Sequence, residues 1–340
     1  MRRLSLALCG LAFLALSTGC DSSGTTGTVR VMSQNLYLGA DLFLVANEQD
    51  PNMIPVRVAQ LYGSVQASDP AARMAAVAAE IARVNPDLVG LQEVTTYYVQ
   101  SPGDNLPGAA NTTATTVTFD FLQLLLDALA DEGVSYTVAA RADNADVEFP
   151  ATTDGMTFFD VRYRDADVIL ARSDVQTSGA VNQEFQTVLT IPVGGVDQTF
   201  TRSYQSVNAT VDGFPLTFFN THLEVGGPAE PIQRIQAAEL ATEVRDTGGS
   251  VILVGDINSD GNTGGTSYQD LTVLLRDAFP VGSAATCCQA ATCPPFSTTY
   301  PTTPPGYTVN DASATTVAGV GLSCNATAHY TGTPTLTCDG

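Results

Sequence analysis

The sequence predicts an α/β fold. Short runs rich in branched apolar residues alternate with stretches whose apolar residues recur at helical spacing, which is how strands and helices take turns along a chain. Several of the apolar runs end abruptly in a polar residue. Hydrophobic residues make up 44% of the 340 residues, enough for a substantial core.

Residues 1–20 are expected to be an export signal, because Arg2 and Arg3 precede an apolar run over 4–16 that is too short to be a permanent membrane span. The sequence Leu16-Ser17-Thr18-Gly19-Cys20 resembles a bacterial lipoprotein signal, with Cys20 as the lipid acceptor and the membrane as a partner through that anchor. The leucine falls one place early, so an ordinary cleavable signal is the alternative. Either way the protein is expected at the cell envelope or outside the cell. A Ser/Gly/Thr-rich tether over 21–28 follows.

One domain is expected over 29–280. Residues 29–34 read as a strand ending at Asn35. Residues 73–84 read as a helix, which Asn85-Pro86 stops. A buried strand over 87–92 presents Glu93, and a helix over 119–130 precedes strands over 134–140 and 167–171. The second half repeats the logic: β-rich 198–211, strand 214–220, helix 231–245, strand 251–255 and helix 268–275. The polar stretches 95–118 and 143–159 read as long loops. After Asp277 the periodic apolar pattern ends, and 281–340 reads as an irregular Cys/Thr/Pro-rich tail. Its cysteines at 287, 288, 293, 324 and 338 are disulfide candidates in an exported protein, but an odd number cannot all pair. Vicinal Cys287-Cys288 lacks partners at zinc-like spacing.

Every basic residue is arginine, and the formal net charge is -21. Such a field disfavours broad binding to nucleic acid unless a cation sits at the site. An acidic protein can still hold an anionic substrate through a metal ion.

Polar residues at the strand ends carry the chemical reading. Asn35, Glu93, His222 and the pair Asp256 and Asn258 each follow an apolar run, and buried strands bring their ends to one rim, where pockets form. An oxygen-rich set of this kind suits a hard divalent cation, Mg2+ first and Mn2+ or Ca2+ as alternatives. Phosphate-ester hydrolysis uses such a set, because the metal neutralises phosphoryl charge while a base orients water. Taken singly, Glu93 reads equally well as a helix cap, His222 as a structural histidine, and the stretch from Asp256 to Asn262 as a polar turn. An EF-hand loop there would need a glutamate where Ser267 stands.

The ordered segments Ser33-Gln34-Asn35, Pro86 to Glu93, Asp167 to Arg172, Asn220-Thr221-His222-Leu223 and Val254 to Asn258 resemble the endonuclease/exonuclease/phosphatase superfamily from about residue 29 to about 277. The resemblance implies a four-layer α/β/β/α sandwich of two mainly antiparallel sheets with helices outside. It implies Glu93 as the magnesium ligand, with Asn35 beside it holding metal or phosphate. His222 would contact the scissile phosphate or act as an acid, Asp256 would orient or deprotonate the attacking water, and Asn258 would bind a phosphate oxygen. Arg172 would support the rim from a strand end. The substrate would be a phosphate ester cleaved by a phosphodiesterase or phosphatase, sphingomyelinase-like or a nuclease. The family's Arg-Ile-Asp-Tyr-like strand and final Ser-Asp-His are missing. The nearest fragment is Thr327-Ala328-His329-Tyr330, with alanine in place of the aspartate. A tethered binding protein that keeps the scaffold without turnover is therefore the alternative.

Overall fold

The computed structural model describes residues 27–104, 112–261, 265–276 and 335–336. Cys20, the five tail cysteines and His329 lie outside the described residues. In chain order the elements are β1 (Gly27–Thr28), β2 (Val31–Asn35), α1 (Phe43–Ala46), α2 (Ile54–Ala67), α3 (Pro70–Val84), β3 (Leu88–Gln92), β4 (Thr96–Gln100), β5 (Thr116–Asp120), α4 (Phe121–Asp131), β6 (Tyr136–Ala151) and β7 (Phe159–Arg172). They continue with β8 (Gln176–Glu184), β9 (Leu189–Val193), β10 (Val196–Phe200), β11 (Ser203–Val211), β12 (Phe214–His222), α5 (Glu230–Thr247), β13 (Val251–Asp256), α6 (Thr266–Thr272) and β14 (Thr335–Leu336).

Two sheets organise the chain. In the larger one the long strand β7 pairs with β6 along one edge, and its other edge is shared by β3 and β4, one on each half. β2 joins parallel to β3, and β5 joins antiparallel to β4. The smaller sheet runs β13-β12-β11-β8, parallel between β12 and β13 and antiparallel elsewhere. Strands β9 and β10 form a separate hairpin, and β1 pairs with β14.

Three cores follow from this arrangement. Met74, Val77 and Ile81 of α3 and Leu125 and Leu129 of α4 pack with Val89 and Leu91 on one face of the larger sheet. Leu88, Ile169 and Ala171 of that sheet pack with Val207, Leu216 and Phe218 of the smaller one. Phe219 on the smaller sheet's other face packs with Ala237 and Leu240 of α5 and Leu271 of α6. Helices thus flank the two sheets, in agreement with the expected α/β class. Local chemistry fixes the helix ends. The side chain of Asp69 accepts from the Ala72 amide with Pro70 in the first turn, and Asn85 closes α3 in a left-handed conformation before Pro86.

A line of buried amides crosses between the sheets. Gln92 Nε2 donates to Asn220 Oδ1 at 2.6 Å, and Asn220 Nδ2 donates to Gln205 Oε1 at 2.9 Å and to the Leu91 carbonyl at 3.0 Å. A satisfied network of this kind fixes one sheet against the other, because a shifted register would leave buried amides unpaired. Gly90 makes the approach close enough, since a Cβ there would meet Asn220 Oδ1 at 2.5 Å and also the Val254 side chain. Gly90→Ala is expected to cost about 1–3 kcal/mol by overpacking, read as a lower midpoint in urea unfolding. An unchanged midpoint would mean that the sheets can separate there without penalty.

Several expectations change. The stretches 95–118 and 143–159, read as loops, contain β4, β5 and the outer half of β6. β5 and β6 are edge strands, whereas β4 lies between β7 and β5 with Thr96 buried, and β6 extends past residue 140 through register shifts at 138/140 and 143/145. Helix α2 and the hairpin β9–β10 were not anticipated. Arg172 pairs with Asp87 at 2.7 Å and Asp174 at 2.7 Å, at the end of β7 beside the start of β3. It therefore braces the edge opposite the one where Glu93 follows β3.

Candidate active site

The two parallel pairings assemble the site. In the larger sheet Asn35 of β2 stands opposite Gln92 of β3, so Asn35 and Glu93 leave neighbouring strands at the same edge. In the smaller sheet His222 of β12 stands opposite Asp256 of β13. Parallel neighbours end on the same side, and both sheets turn that side to one rim. At Glu93 and Asn258 the backbone leaves the strand in a left-handed conformation, with φ of 54° and 52°. Few non-glycine residues adopt it, and here it lies where a side chain must leave the strand direction.

Asn35 is the hinge of the rim. Its Nδ2 donates to Glu93 Oε1 at 2.9 Å and to Asp256 Oδ2 at 3.0 Å, joining one carboxylate from each sheet. Its Oδ1 accepts from the Tyr37 amide at 2.8 Å, which fixes the direction of the side-chain amide. The other oxygens are held as well. Glu93 Oε2 accepts from the Leu38 amide at 2.6 Å, and Asp256 Oδ1 accepts from the Asn258 amide at 3.0 Å. Asn258 Nδ2 donates to the Leu223 carbonyl at 2.9 Å and lies 3.1 Å from His222 Nε2.

His222 is held from behind by Arg202, whose Nη1 lies 3.0 Å from Nδ1. A guanidinium has no acceptor, so Nδ1 accepts and the neutral ring carries its proton on Nε2. The acceptor nearest that proton is Asp256 Oδ2, 3.8 Å away, whereas Asn258 Nδ2, 3.1 Å from the same nitrogen, is itself a donor and gives its proton to the Leu223 carbonyl. Burial and then the charge of Arg202 push the imidazole pKa down to about 3, against a smaller upward pull from Asp256. His222 is thus a neutral Nε2–H donor at ordinary pH.

Glu93 is displaced the other way. Burial pushes its carboxyl up to about 7, with Asp165 and Asp256 adding repulsion against the hydrogen bonds from Asn35 and Leu38. Asp165 and Asp167, buried on β7, are raised as well, both chiefly by burial. Arg202 is raised although burial lowers it, because Glu224 and then Asp165 more than offset that effect.

The five residues expected at the rim from sequence are therefore brought together. Four others were missed. Arg202 stands just before β11, Asp165 and Asp167 lie inside β7, and Glu224 follows His222 by two residues. The sequence carried one signal for the aspartates: Asp165 and Asp167 alternate with alanine on a strand that is otherwise apolar beyond them. A separate acidic group, Asp104, Glu148 and Asp160, brings carboxylate oxygens within 4.8 Å of one another at the start of β7. Glu148 accepts from the Ala114 amide and Asp160 from the Asp104 amide, so the group ties the ends of the 104–114 segment to the sheet.

Residues 32–310 match the model of the Endonuclease/Exonuclease/phosphatase family. The chain belongs to that family. Its members are phosphoesterase hydrolases. No curated sequence matches the chain. A Bacteroides thetaiotaomicron protein of the same family is 18% identical, with a TM-score of 0.42, over 73% of this chain and 69% of that one. The mannosyl-6-phosphatase Bt3783 of that species is 17% identical, with a TM-score of 0.40, over 72% and 70%. Truncated TDP2 from Caenorhabditis elegans is 19% identical, with a TM-score of 0.35, over 68% of this chain and 62% of that one. The chain spans only 48% of the longer C. elegans TDP2.

Enzymes of this family generally use divalent metals, and the rim has the chemistry to accept one. Glu93 and Asp256 converge on a single amide nitrogen, and among the described residues no arginine forms an ion pair with either. Arg202 instead faces His222 and Glu224, with Nε 3.6 Å from Glu224 Oε2. Hard oxygen donors without a counter-charge are what a divalent cation satisfies.

Proposed function

We propose that the protein is an exported, divalent-metal-dependent hydrolase of phosphate esters, with magnesium as the physiological ion. The observation that carries this reading is the Asn35 amide shared by Glu93 and Asp256, one carboxylate from each sheet, with the Nε2–H of His222 beside them. Glu93 and Asn35 would hold the metal, which when bound supplies charge neutralisation at the phosphoryl oxygens. Asp256 orients the attacking water, His222 donates from Nε2 to a phosphoryl oxygen, and Asn258 positions that oxygen. Because burial and Arg202 keep His222 neutral, its role is donation of a hydrogen bond rather than exchange of a proton near neutral pH.

The test is magnesium-dependent release of nitrophenol from a chromogenic phosphodiester. Hydrolysis is expected with magnesium and not with excess chelator, and His222→Ala is expected to lower kcat by about 10²–10³, the range for losing one donor to developing charge. Equal rates for the two proteins would sink the assignment of His222. Tight binding of phosphate with no turnover under any divalent metal would favour the alternative, a binding protein on the same scaffold.

Export and lipidation at Cys20 belong to the same proposal, supported by the Arg2-Arg3 pair, the apolar run and the position of Cys20. Incorporation of a labelled fatty acid by the wild type but not by Cys20→Ala is the expected result.

A further inference from the structure

A cavity of about 520 Å³ opens from the rim into the fold, lined at one end by Glu93, Arg202, His222 and Glu224. Beyond these groups its walls are mostly apolar, with Asp41 and three tyrosines among them. Val58 and Leu61 of α2 and Phe149 of β6 form one side, and Leu189, Ile191 and Phe200 of the β9–β10 hairpin form the other. The volume lies within the range of small-molecule sites, roughly 300–1,000 Å³.

The lining separates ligand classes. Among the described residues no serine, threonine, asparagine or glutamine lines the cavity. Of its polar groups, Tyr97 donates to the Leu38 carbonyl and Arg202 Nη1 to His222 Nδ1, while Arg202 Nε and Glu224 Oε2, in the charged cluster, have no hydrogen-bond partner. A sugar or a nucleobase placed there would lose its hydrogen bonds to water and regain few, at a cost of about 1–3 kcal/mol for each group. An alkyl or aryl group would gain by leaving water. A cluster of charged residues, Glu93, Arg202, His222 and Glu224, in a lining that is otherwise mostly hydrocarbon matches an amphiphile, with its anionic head at the cluster.

Resting on the phosphoesterase reading above, we infer that the cavity takes the apolar organic group of the substrate, a phosphate ester of an alkyl chain, whose phosphate lies against Glu93 and His222. The hairpin residues Ile191 and Phe200 then determine specificity, because they close the cavity without touching the reacting phosphate.

Calorimetric titration of the full chain with methyl-, butyl- and octylphosphonate in magnesium tests this without requiring turnover. Affinity is expected to rise by up to about fourfold for each methylene that enters, from roughly 0.8 kcal/mol per buried methylene. Octylphosphonate should then bind at least a hundredfold tighter than methylphosphonate. Ile191→Asp should remove most of the chain-length gain and leave methylphosphonate binding unchanged, and Phe200→Ala, a milder change, should reduce it. Circular dichroism confirms that both variants are folded. A flat series in the wild type, or an undiminished gain in folded Ile191→Asp, overturns the inference even where phosphodiester hydrolysis is found. A steep series in a protein that hydrolyses nothing supports the cavity assignment and removes the phosphoesterase reading instead.

Discussion

Glu93→Gln should lower magnesium-dependent kcat/KM by roughly a thousandfold, the scale of losing several kcal/mol of metal-borne charge stabilisation, while making the metal-free protein more stable at pH 8. The two effects share one cause. A carboxylate at this position is nearly inaccessible to water and faces Asp165 and Asp256, so the metal-free fold prefers it protonated, with its pKa at about 7 instead of 4.5. A carboxyl raised on folding contributes stability that is fully present below about pH 4.5 and is lost as pH rises towards 7. That interval corresponds to roughly 3 kcal/mol withheld from the metal-free protein at pH 8. Glutamine removes the charge and keeps the shape. It cannot accept from both Asn35 and Leu38, so the net gain is smaller, about 2 kcal/mol, or a few degrees in Tm. Magnesium should raise the Tm of the wild type through binding to the folded state and leave Glu93→Gln nearly unchanged. The wild-type response should also weaken below pH 7, where the ion must displace a proton. Equal magnesium shifts in both proteins would show that Glu93 does not hold the ion.

What made Glu93 legible in the sequence was its place, not its type. A polar residue directly after a buried apolar run has few structural reasons to be there, and this held for Asn35, His222, Asp256 and Asn258 as well. Parallel pairing then converts position in the chain into position in space, because the ends of β2 and β3, and of β12 and β13, must coincide. The rest of the site has no such signature. Arg202 stands between two strands in a stretch of ordinary polar sequence, and only the antiparallel pairing of β11 with β8, next to it, carries it behind His222. Gln92 and Asn220 sit inside the motifs, yet they bind the sheets together rather than act at the rim. The cavity is assembled from residues between Tyr37 and Val225, so no local window contains it. Strand β5 escaped notice because it is an edge strand, exposed at Thr116 and Val117 and rich in threonine, with no alternation to set it apart from a loop.

Arg202→Met should be the most destabilising change near the rim, and it should also alter the imidazole in a way that a purely structural arginine would not. Arg202 is the cation that Glu224, Asp165 and Asp167 share, and its charge is raised in pKa by them despite burial. Removing one member of a buried ionic group leaves the others uncompensated, a loss of about 3–5 kcal/mol, measurable by urea unfolding at pH 7. The acids should then respond by holding protons more tightly, so the deficit should shrink as pH falls. His222 gives the second readout. With Arg202 gone, Nδ1 loses its donor and the ring loses the charge that, after burial, most lowers its pKa. Nitrogen-detected NMR is well suited to this, because the chain has only 2 histidines. The wild type should show His222 as the neutral Nε2–H tautomer throughout pH 5–8. Arg202→Met should show mixed tautomers and a pKa well above 3. Arg202→Lys keeps the charge but cannot span His222 and Glu224 as a fork, so it should recover much of the stability and little of the tautomer control. An unaltered His222 spectrum in folded Arg202→Met would reduce Arg202 to a counter-ion and leave the orientation of the imidazole to Asp256 and Asn258 alone.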